Sequence, residues 1–438
     1  MGNFYKVKKL EAEKEIKVQV PGSKSITNRA LLLAAISSER CTLHGVLFSD
    51  DSRALIDSLC KLGFQVEANE ETKEVTIQGT GGEIPNRRAT IDVRSAGTAA
   101  RFLTVMLALV GGEYQLNASP QMCRRPMQPL LDLLSDAGVE FIYQGEKGHF
   151  PFLMKSGKLS LREVTVDTGI SSQFASALLM SGVLLEDGLT VTMAGDRTEG
   201  AYIKMTLAMM EQFGIEVNRK GNSCRVSHNA CFGLTEYQVE PDVSGACYFY
   251  AMAPLLKADV LVKNVHMDSL QGDIKFLRVL EEMGCALTDE SAGVKLSGHE
   301  LLEYPGMTLS MKDFSDQTMN MAVLAPFAQS PTLIRNIGHI RYQESDRINA
   351  ILTELGRMGI RCEEVPGEDG IRIYPGRIKE AEVETYEDHR MAMAFTLIGL
   401  KTGKITIKNP ECCRKTFENF FELIDDLTEE KEIYGTKK

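Results

Sequence analysis

The sequence predicts an α/β protein in which six similar repeats form two domains of three repeats each. A small or polar residue followed by an apolar run recurs six times, at Ser25, Gly97, Ser172, Ser244, Asp316 and His389. The successive spacings are 72, 75, 72, 72 and 73 residues. A period of this length, with helix-like and strand-like segments in each copy, indicates a small α/β module more than a solenoid repeat.

Each repeat is expected to contain a buried helix and an amphipathic helix that flanks a sheet. The apolar runs carry apolar residues on most helical faces, which predicts burial. A β-rich run and a polar loop then lead into the amphipathic helix. Five of these helices stop at a glycine, which favours the left-handed residue that commonly closes a helix. The glycines are Gly63, Gly138, Gly214, Gly284 and Gly359.

Two proline-bearing extended segments, VPG at 20–22 and VEPD at 239–242, bracket the first three repeats. They predict one domain over 21–240 and a second over 241–438 that is completed by 1–20. The sixth repeat lacks a clear closing strand, and EIKVQV at 15–20 is expected to supply it. Two crossings between domains would allow closure over a cleft, which is where we expect the active site.

Composition narrows the class of protein. The net charge of −11 argues against a nucleic-acid binder. The N-terminal segment has no apolar stretch of the kind found in signal peptides, and ALLLAAI at 30–36 is too short to span a membrane. Ten cysteines show no paired framework, and seven dispersed histidines show no zinc-ligand spacing. We therefore expect a reduced cytoplasmic protein without a membrane partner.

Basic residues recur where the buried helices begin and in the loops that feed the amphipathic helices. Such residues in loops are often simply solvated. Their recurrence at equivalent places in the repeat nevertheless favours a shared anion site, because helix N-termini also attract anions. The residues are Lys24, Arg29, Arg101, Arg125, Arg347, Arg390 and Lys415.

Polar side chains at the same helix starts have two possible roles. Ser171 and Ser172 could be ordinary N-caps, and a carboxylate at such a place is more often a cap than a catalyst. For Asp316 and Glu344 a catalytic role is better supported, because basic residues occupy the equivalent places of neighbouring repeats.

Segments distributed along nearly the whole chain resemble the 5-enolpyruvylshikimate-3-phosphate synthase family. They are PGSKSITNRALLLAA, SAGTAAR, RRPM, ISSQFASALLM, SDQTMN, ESDRI, EDHRMAM and RKTF, in family order. The resemblance implies the enolpyruvyl transferase fold, two similar domains each of three βαβαββ units. It implies phosphoenolpyruvate and shikimate 3-phosphate as substrates, no metal or organic cofactor, and a monomer.

The resemblance also implies residue roles. Asp316 is the candidate base for the substrate hydroxyl, and Glu344, with Lys24 or Lys415, is the candidate for proton movement at C3. The positions matched to phosphoenolpyruvate binding are Lys24, Gly97, Arg125, Gln173, Arg347, Arg390 and Lys415. Those matched to the shikimate 3-phosphate side are Lys24, Ser25, Arg29, Ser171, Ser172, Gln173, Tyr202, Asp316, His339 and Gln343.

Several positions depart from the family pattern, mostly on the side of the cyclic alcohol. Glu199 replaces a serine near the phosphate site, and Gln343 replaces a lysine. His339 and Ser95 each replace an asparagine, and Phe102 replaces a proline. Two alternatives follow. One is an enolpyruvyl transferase with another acceptor, such as a UDP-amino sugar. The other is a paralogue that binds phosphorylated metabolites without turnover.

Overall fold

The computed structural model describes residues 3–10, 15–157, 159–169, 171–195, 198–229 and 231–428. The helices are α1 (Lys24–Ile36), α2 (Asp50–Lys61), α3 (Gly97–Val110), α4 (Pro120–Cys123), α5 (Gln128–Asp136), α6 (Ser172–Gly182), α7 (Ala201–Gln212), α8 (Val243–Tyr250), α9 (Met252–Leu256), α10 (Lys275–Glu282), α11 (Thr318–Leu324), α12 (Arg347–Arg357), α13 (His389–Thr402) and α14 (Phe420–Thr428). Short 3-10 segments include Ser315–Gln317, Gly338–Tyr342 and Pro410–Lys415.

The strands are β1 (Phe4–Lys6), β2 (Glu15–Val18), β3 (Arg40–His44), β4 (Val66–Asn69), β5 (Glu74–Gln78), β6 (Arg88–Asp92), β7 (Gly112–Asn117), β8 (Glu140–Tyr143), β9 (Phe152–Ser156), β10 (Glu163–Asp167), β11 (Leu189–Ala194), β12 (Val217–Lys220), β13 (Ser223–Val226), β14 (Glu236–Gln238), β15 (Asp259–Val262), β16 (Ala286–Glu290), β17 (Gly293–Ser297), β18 (Thr308–Ser310), β19 (Thr332–Arg335), β20 (Cys362–Val365), β21 (Gly370–Ile373), β22 (Ala381–Val383) and β23 (Ile405–Lys408).

The strands form six small sheets that share one pattern, which confirms the predicted sixfold α/β architecture. In the sheet β6-β7-β9-β8, β6 is parallel to β7, and β9 is antiparallel to both β7 and β8. The buried helix α3 connects the two parallel strands, as a crossover between parallel strands requires. Four other sheets repeat this four-stranded order within the described residues, and β1-β23-β22 has three strands.

The strand predicted to close the sixth repeat belongs to a different repeat. β2 pairs in parallel with β15 of the fourth repeat, with Ile16 opposite Val260. The sixth repeat is instead closed by β1, which lies antiparallel to β23. The segment EIKVQV does form a strand, but the prediction that it closes the sixth repeat was wrong. An alternating apolar pattern identifies a strand, whereas its neighbour depends on contacts between distant parts of the chain.

The first helix of each repeat is buried and the second is amphipathic, as predicted. Every residue of α13 from His389 to Leu400 is buried, whereas α10 buries only one side. Prolines interrupt two of the buried helices. α8 gives way to the short α9 that contains Pro254, and α11 ends in a 3-10 turn that contains Pro326. Proline lacks the N–H group and clashes with the preceding turn.

The five predicted stop glycines all have positive φ angles, between 81° and 111°. Gly284 has a φ of 111° and Gly359 a φ of 81°. A residue with a Cβ adopts this conformation at a cost, so glycine fits the helix-to-strand turn in each repeat.

The chain divides into two compact units. The first unit contains Pro21–Val243 together with the short segment Asp268–Gly272, and the second contains the rest. Glu240 receives hydrogen bonds from Ser269 and from the backbone of Leu270, which ties that segment to the first unit. The proposed cleft between domains 21–240 and 241–438 with 1–20 stays a prediction. Residues 1–2, 11–14, 158, 170, 196–197, 230 and 429–438 of those ranges lie outside the described residues.

Neither a membrane-spanning helix nor a metal-binding cluster occurs in the part of the chain that the structure describes. None of the helices in these ranges combines the length and the apolar character that a membrane crossing needs. No group of three or more histidine, cysteine, aspartate or glutamate residues there could hold a metal ion.

Candidate active site

The first unit contains a buried arginine whose hydrogen-bond acceptors are all neutral. Arg29, on α1, is 1% exposed. Its Nε donates to Oγ1 of Thr206 at 2.8 Å, and its Nη2 donates to Oγ of Ser176 at 3.2 Å. The backbone oxygens of Ser25 and Tyr202 accept at 2.9 and 3.4 Å. No carboxylate among the described residues pairs with it. Because an uncompensated buried charge is costly, this site suits an anionic ligand.

Two aromatic rings partly stabilise the positive charge of Arg29 in the absence of a carboxylate partner among the described residues. The guanidinium carbon of Arg29 lies 5.4 Å from the ring centroid of Phe102 and 5.8 Å from that of Tyr202. Burial lowers the pKa of Arg29 to about 10, against an opposing effect of Tyr202. The guanidinium is therefore still charged at neutral pH. Phe102, a departure from the family pattern, has a clear place here as a face for this cation.

Two further arginines converge on the start of α3, where Gly97 leaves room for them. Nη1 of Arg101 donates to the backbone oxygen of Gly97 at 3.1 Å. A Cβ placed on Gly97 would lie 2.5 Å from Nη1 of Arg125 and 2.6 Å from Nη1 of Arg101. Any side chain would therefore displace a guanidinium. The N–H groups at the start of the helix add to the positive potential of this region.

Lys24 begins α1 and is held by a carboxylate that the sequence analysis did not single out. Its Nζ lies 3.4 Å from Oδ2 of Asp51, and the two side chains are 17% and 4% exposed. Asp51 lies in the first turn of α2, where acidic residues are common for reasons of helix stability alone. Only the tertiary contact identifies it as the partner of a site residue.

The start of α6 presents hydroxyl and amide groups. Ser171 is the N-cap, and its Oγ accepts from the backbone N–H of Gln173 at 3.3 Å, so the simple capping interpretation holds for this residue. Ser172 is the first residue of the helix. Oε1 of Gln173 is buried and accepts no hydrogen bond within the described ranges. A buried acceptor of this kind is typically satisfied by a ligand or a water molecule.

Glu199 turns away from the buried arginine. Its side chain is 66% exposed, with Oε1 2.8 Å from Arg219 and Oε2 3.9 Å from Lys204. Two surface cations thus neutralise a carboxylate that would otherwise repel a phosphate. Ser95, another departure from the family pattern, lies with its Oγ 2.7 Å from Oγ of Ser119.

The second unit contains a buried arginine with the opposite environment. Arg347, the first residue of α12, is 1% exposed. It donates from Nη1 to Asp316 at 3.1 Å, from Nη2 to Glu344 at 2.9 Å and from Nε to Asp388 at 2.8 Å. Oε1 of Gln343 also accepts from Nη1. We call Arg347 and the three carboxylates the Arg347 cluster.

The three carboxylates of the Arg347 cluster stabilise the positive charge of Arg347. Burial lowers the pKa of Arg347, but the charges of Asp388, Glu344 and Asp316 outweigh burial and raise it above its ordinary value. Charge-assisted hydrogen bonds of this kind are shorter and stronger than neutral ones. The cluster therefore fixes two candidate catalytic carboxylates, Asp316 and Glu344, in a defined orientation.

Two other predicted residues, Arg390 and His339, contact Asp316 or the residue before it. Nη2 of Arg390 donates to its Oδ2 at 2.9 Å, so each oxygen of Asp316 accepts from a different guanidinium. Nε2 of His339 lies 2.8 Å from Oγ of Ser315, the residue before Asp316. Lys415 ends the 3-10 segment Pro410–Lys415 and is 8% exposed.

Contacts join the predicted residues in local groups within each unit. In the first unit, Arg29 contacts Ser25 and Tyr202, whereas Arg101 and Arg125 lie beside Gly97. In the second unit, Arg347 contacts Asp316, Glu344 and Gln343, and Arg390 contacts Asp316. The sequence did not identify Asp51 and Asp388 as partners of other candidate residues, although Asp388 lies in the family-like segment EDHRMAM.

Comparison with known proteins identifies relatives over nearly the whole chain. The family model described as EPSP synthase (3-phosphoshikimate 1-carboxyvinyltransferase) matches residues 7–424. The 3-phosphoshikimate 1-carboxyvinyltransferase of Nostoc punctiforme is 40% identical over 414 residues, which are 94% of this chain and 96% of the relative. The enzyme of the same name from Neisseria gonorrhoeae is 37% identical, over 95% of this chain and 96% of the relative.

A solved structure extends the similarity to the fold. The EPSP synthase of Acinetobacter baumannii superposes with a TM-score of 0.79 at 26% sequence identity, over 97% of this chain and 98% of that chain. Both the family model and relatives of this identity cover nearly the whole sequence, so the resemblance seen in the motifs is confirmed. The chain belongs to the EPSP synthase (3-phosphoshikimate 1-carboxyvinyltransferase) family.

Proposed function

We propose that this chain transfers the enolpyruvyl group of phosphoenolpyruvate to the 5-hydroxyl of shikimate 3-phosphate and releases phosphate. The observation that carries the proposal is the environment of Asp316. This carboxylate is 9% exposed, and its two oxygens are held by Arg347 and Arg390. A buried, oriented carboxylate beside two cations combines a proton acceptor with groups that bind anions.

The reaction needs proton transfers at two places. The oxygen of the 5-hydroxyl adds to C2 of phosphoenolpyruvate, and Asp316 accepts the proton that the hydroxyl loses. Glu344, with Lys24 or Lys415, donates the proton that C3 gains in this addition. In the second step the same groups remove a proton from C3 as the C2–O bond to phosphate breaks, and inorganic phosphate leaves. Positioned acid–base groups each contribute about 10²–10⁴-fold to the rate.

The proposed binding roles are those that the family resemblance implies, and each set of residues draws on both units. For shikimate 3-phosphate we propose Lys24, Ser25, Arg29, Ser171, Ser172, Gln173, Tyr202, Asp316, His339 and Gln343. For phosphoenolpyruvate we propose Lys24, Gly97, Arg125, Gln173, Arg347, Arg390 and Lys415. Arg29, with only neutral acceptors, supports a phosphate ligand in the first unit. Because the proposed roles draw on both units, substitutions in either one are expected to abolish turnover.

The two alternatives have less support. A UDP-amino sugar transferase would need a reactive loop cysteine, but Sγ of Cys123 lies 3.7 Å from the backbone oxygen of Ala118 and burial raises its thiol pKa. A raised pKa makes a thiol less reactive. A non-catalytic paralogue would have little use for the Arg347 cluster, and the named relatives also favour the transferase.

Phosphate release from phosphoenolpyruvate tests the proposal, measured with and without shikimate 3-phosphate. We expect release that depends on both substrates and a loss of about 10²–10⁴-fold in Asp316→Ala. Binding of phosphoenolpyruvate without any phosphate release would contradict the proposal. Phosphate release with a UDP-amino sugar as acceptor, but not with shikimate 3-phosphate, would indicate the other transferase.

We also propose that the protein is a monomer, as the family resemblance implies, and that it is cytoplasmic, as the lack of a paired cysteine framework in the sequence indicates. Light scattering of the purified full chain tests the first, since it reports the mass of the assembly directly. Fractionation of the cells that produce the protein tests the second.

A further inference from the structure

Asp388, the N-cap of α13, is fully buried and accepts hydrogen bonds from several segments. Oδ2 accepts from Nε of Arg347 at 2.8 Å and from Oγ of Ser345 at 3.0 Å. Oδ1 accepts from Nη2 of Arg347 at 3.3 Å and from the backbone N–H of Arg390 at 3.0 Å. One carboxylate therefore joins the loop before α12, the start of α12 and the start of α13.

An ordinary N-cap carboxylate needs neither full burial nor this many hydrogen bonds. Asp346, the N-cap of α12, is 43% exposed, caps the N–H of Asn349 at 3.0 Å and faces Arg341 at 3.1 Å. A solvated carboxylate can perform that role at little cost. Asp388 has no exposed surface, and burying a charge is costly unless it is paired and hydrogen-bonded. Its burial is compensated by the guanidinium of Arg347, the hydroxyl of Ser345 and the backbone N–H of Arg390.

We infer that Asp388 is a positioning residue for the proposed reaction, which aligns Arg347 through its side chain and Arg390 through its backbone. The two contacts to Arg347 fix the plane of the guanidinium. The remaining N–H groups of Arg347 then point to Asp316 and Glu344. The inference rests on the proposed binding of phosphoenolpyruvate by the two arginines.

Asp388 also controls how strongly Arg347 holds the catalytic carboxylates. The Asp388 charge neutralises part of the guanidinium charge and repels the other two carboxylates. Without it, Arg347 would favour the ionised forms of Asp316 and Glu344 more strongly, and the pKa values of both would fall. The charged or titratable groups that face Asp388 are Arg347, Arg390, His389, Tyr248 and Cys413.

The test compares Asp388→Asn with Asp346→Asn by steady-state kinetics. Asparagine is as good an N-cap as aspartate, so both variants keep the cap and lose one charge. For Asp388→Asn we expect the KM for phosphoenolpyruvate to rise about 10- to 100-fold, the KM for shikimate 3-phosphate to stay within about twofold, and the acidic limb of the pH–rate profile to move to lower pH. Asp346→Asn should resemble the wild type in all three measurements.

A second pair of variants separates failure of this inference from failure of the proposed function. Arg390→Lys should raise the KM for phosphoenolpyruvate; if it does not, the assignment of that arginine fails independently of Asp388. Ser345→Ala keeps the Asp388 charge but removes one bond, and a rise of about two- to fivefold in the same KM is expected. Equal changes in both KM values, or none, in Asp388→Asn would overturn the inference. If Asp388→Asn does not fold, an unchanged KM in Ser345→Ala would overturn it.

Discussion

The two buried arginines Arg29 and Arg347 are each 1% exposed, yet their surroundings are opposite. Arg29 in the first unit contacts two hydroxyls, two carbonyls and two aromatic rings. Arg347 in the second unit contacts three carboxylates. Arg29 thus has no carboxylate partner among the described residues, whereas Arg347 orients three carboxylates.

The same contrast appears at an equivalent position of the repeat, four residues after each start. In the first unit these residues are Arg29, Arg101 and Ser176, and in the second they are Tyr248, Asn320 and Met393. All six are buried. The same position of the repeat therefore carries a charge in two copies, both in the first unit, and an uncharged side chain in the other four.

The largest expected effect is on stability. Arg347→Met leaves three carboxylates without their shared partner, and we expect the free energy of unfolding to fall by about 3–5 kcal/mol. Arg29→Met removes a charge that has no carboxylate partner, and Thr206 and Ser176 can still bond each other at their present 2.8 Å. We expect its free energy of unfolding to stay within about 1 kcal/mol of the wild type. Urea denaturation measures both, and equal losses would contradict the comparison.

The second effect concerns the converging arginines of the first unit. Gly97→Ala places a methyl group against the guanidinium groups of Arg125 and Arg101, so at least one must move. We expect a rise of about tenfold in the KM for phosphoenolpyruvate, with a much smaller change in the KM for shikimate 3-phosphate. Gly356→Ala, where an added Cβ meets nothing within 4 Å, is the matched control.

A smaller effect should appear with inorganic phosphate alone. If the charge of Arg29 is available to a ligand, phosphate at ten times its dissociation constant should stabilise the wild type by about 1.4 kcal/mol. The gain should disappear in Arg29→Met and persist in Asp316→Ala. Thermal unfolding with phosphate against chloride at equal ionic strength measures it, and a gain that survives in Arg29→Met would place the anion elsewhere.

The smallest effect is expected at Glu199. Its carboxylate is exposed and paired with Arg219, and exposed ion pairs contribute about 0–1 kcal/mol. Glu199→Ser should therefore change the KM for shikimate 3-phosphate by less than about twofold. A large fall in that KM would show that the carboxylate opposes the ligand, contrary to the outward orientation.

The sequence by itself determined the repeats, the buried and amphipathic helices, the stop glycines and the family. The repeats, the helices and the glycines follow from local patterns, namely apolar periodicity and the need for glycine at positive φ. The family follows from motifs along the chain, and those around Lys24, Asp316 and Arg390 also identified candidate site residues.

Only the tertiary structure decided which groups compensate one another. The strand Glu15–Val18 joined the fourth repeat rather than the sixth, since pairing depends on contacts hundreds of residues away. Glu199 turned outward to Arg219, and Asp388, which caps α13, is also a partner of Arg347. A helix-start pattern is the same for a solvated carboxylate and for a buried one. Burial and the charges nearby set the energy of each, and those depend on how the elements pack.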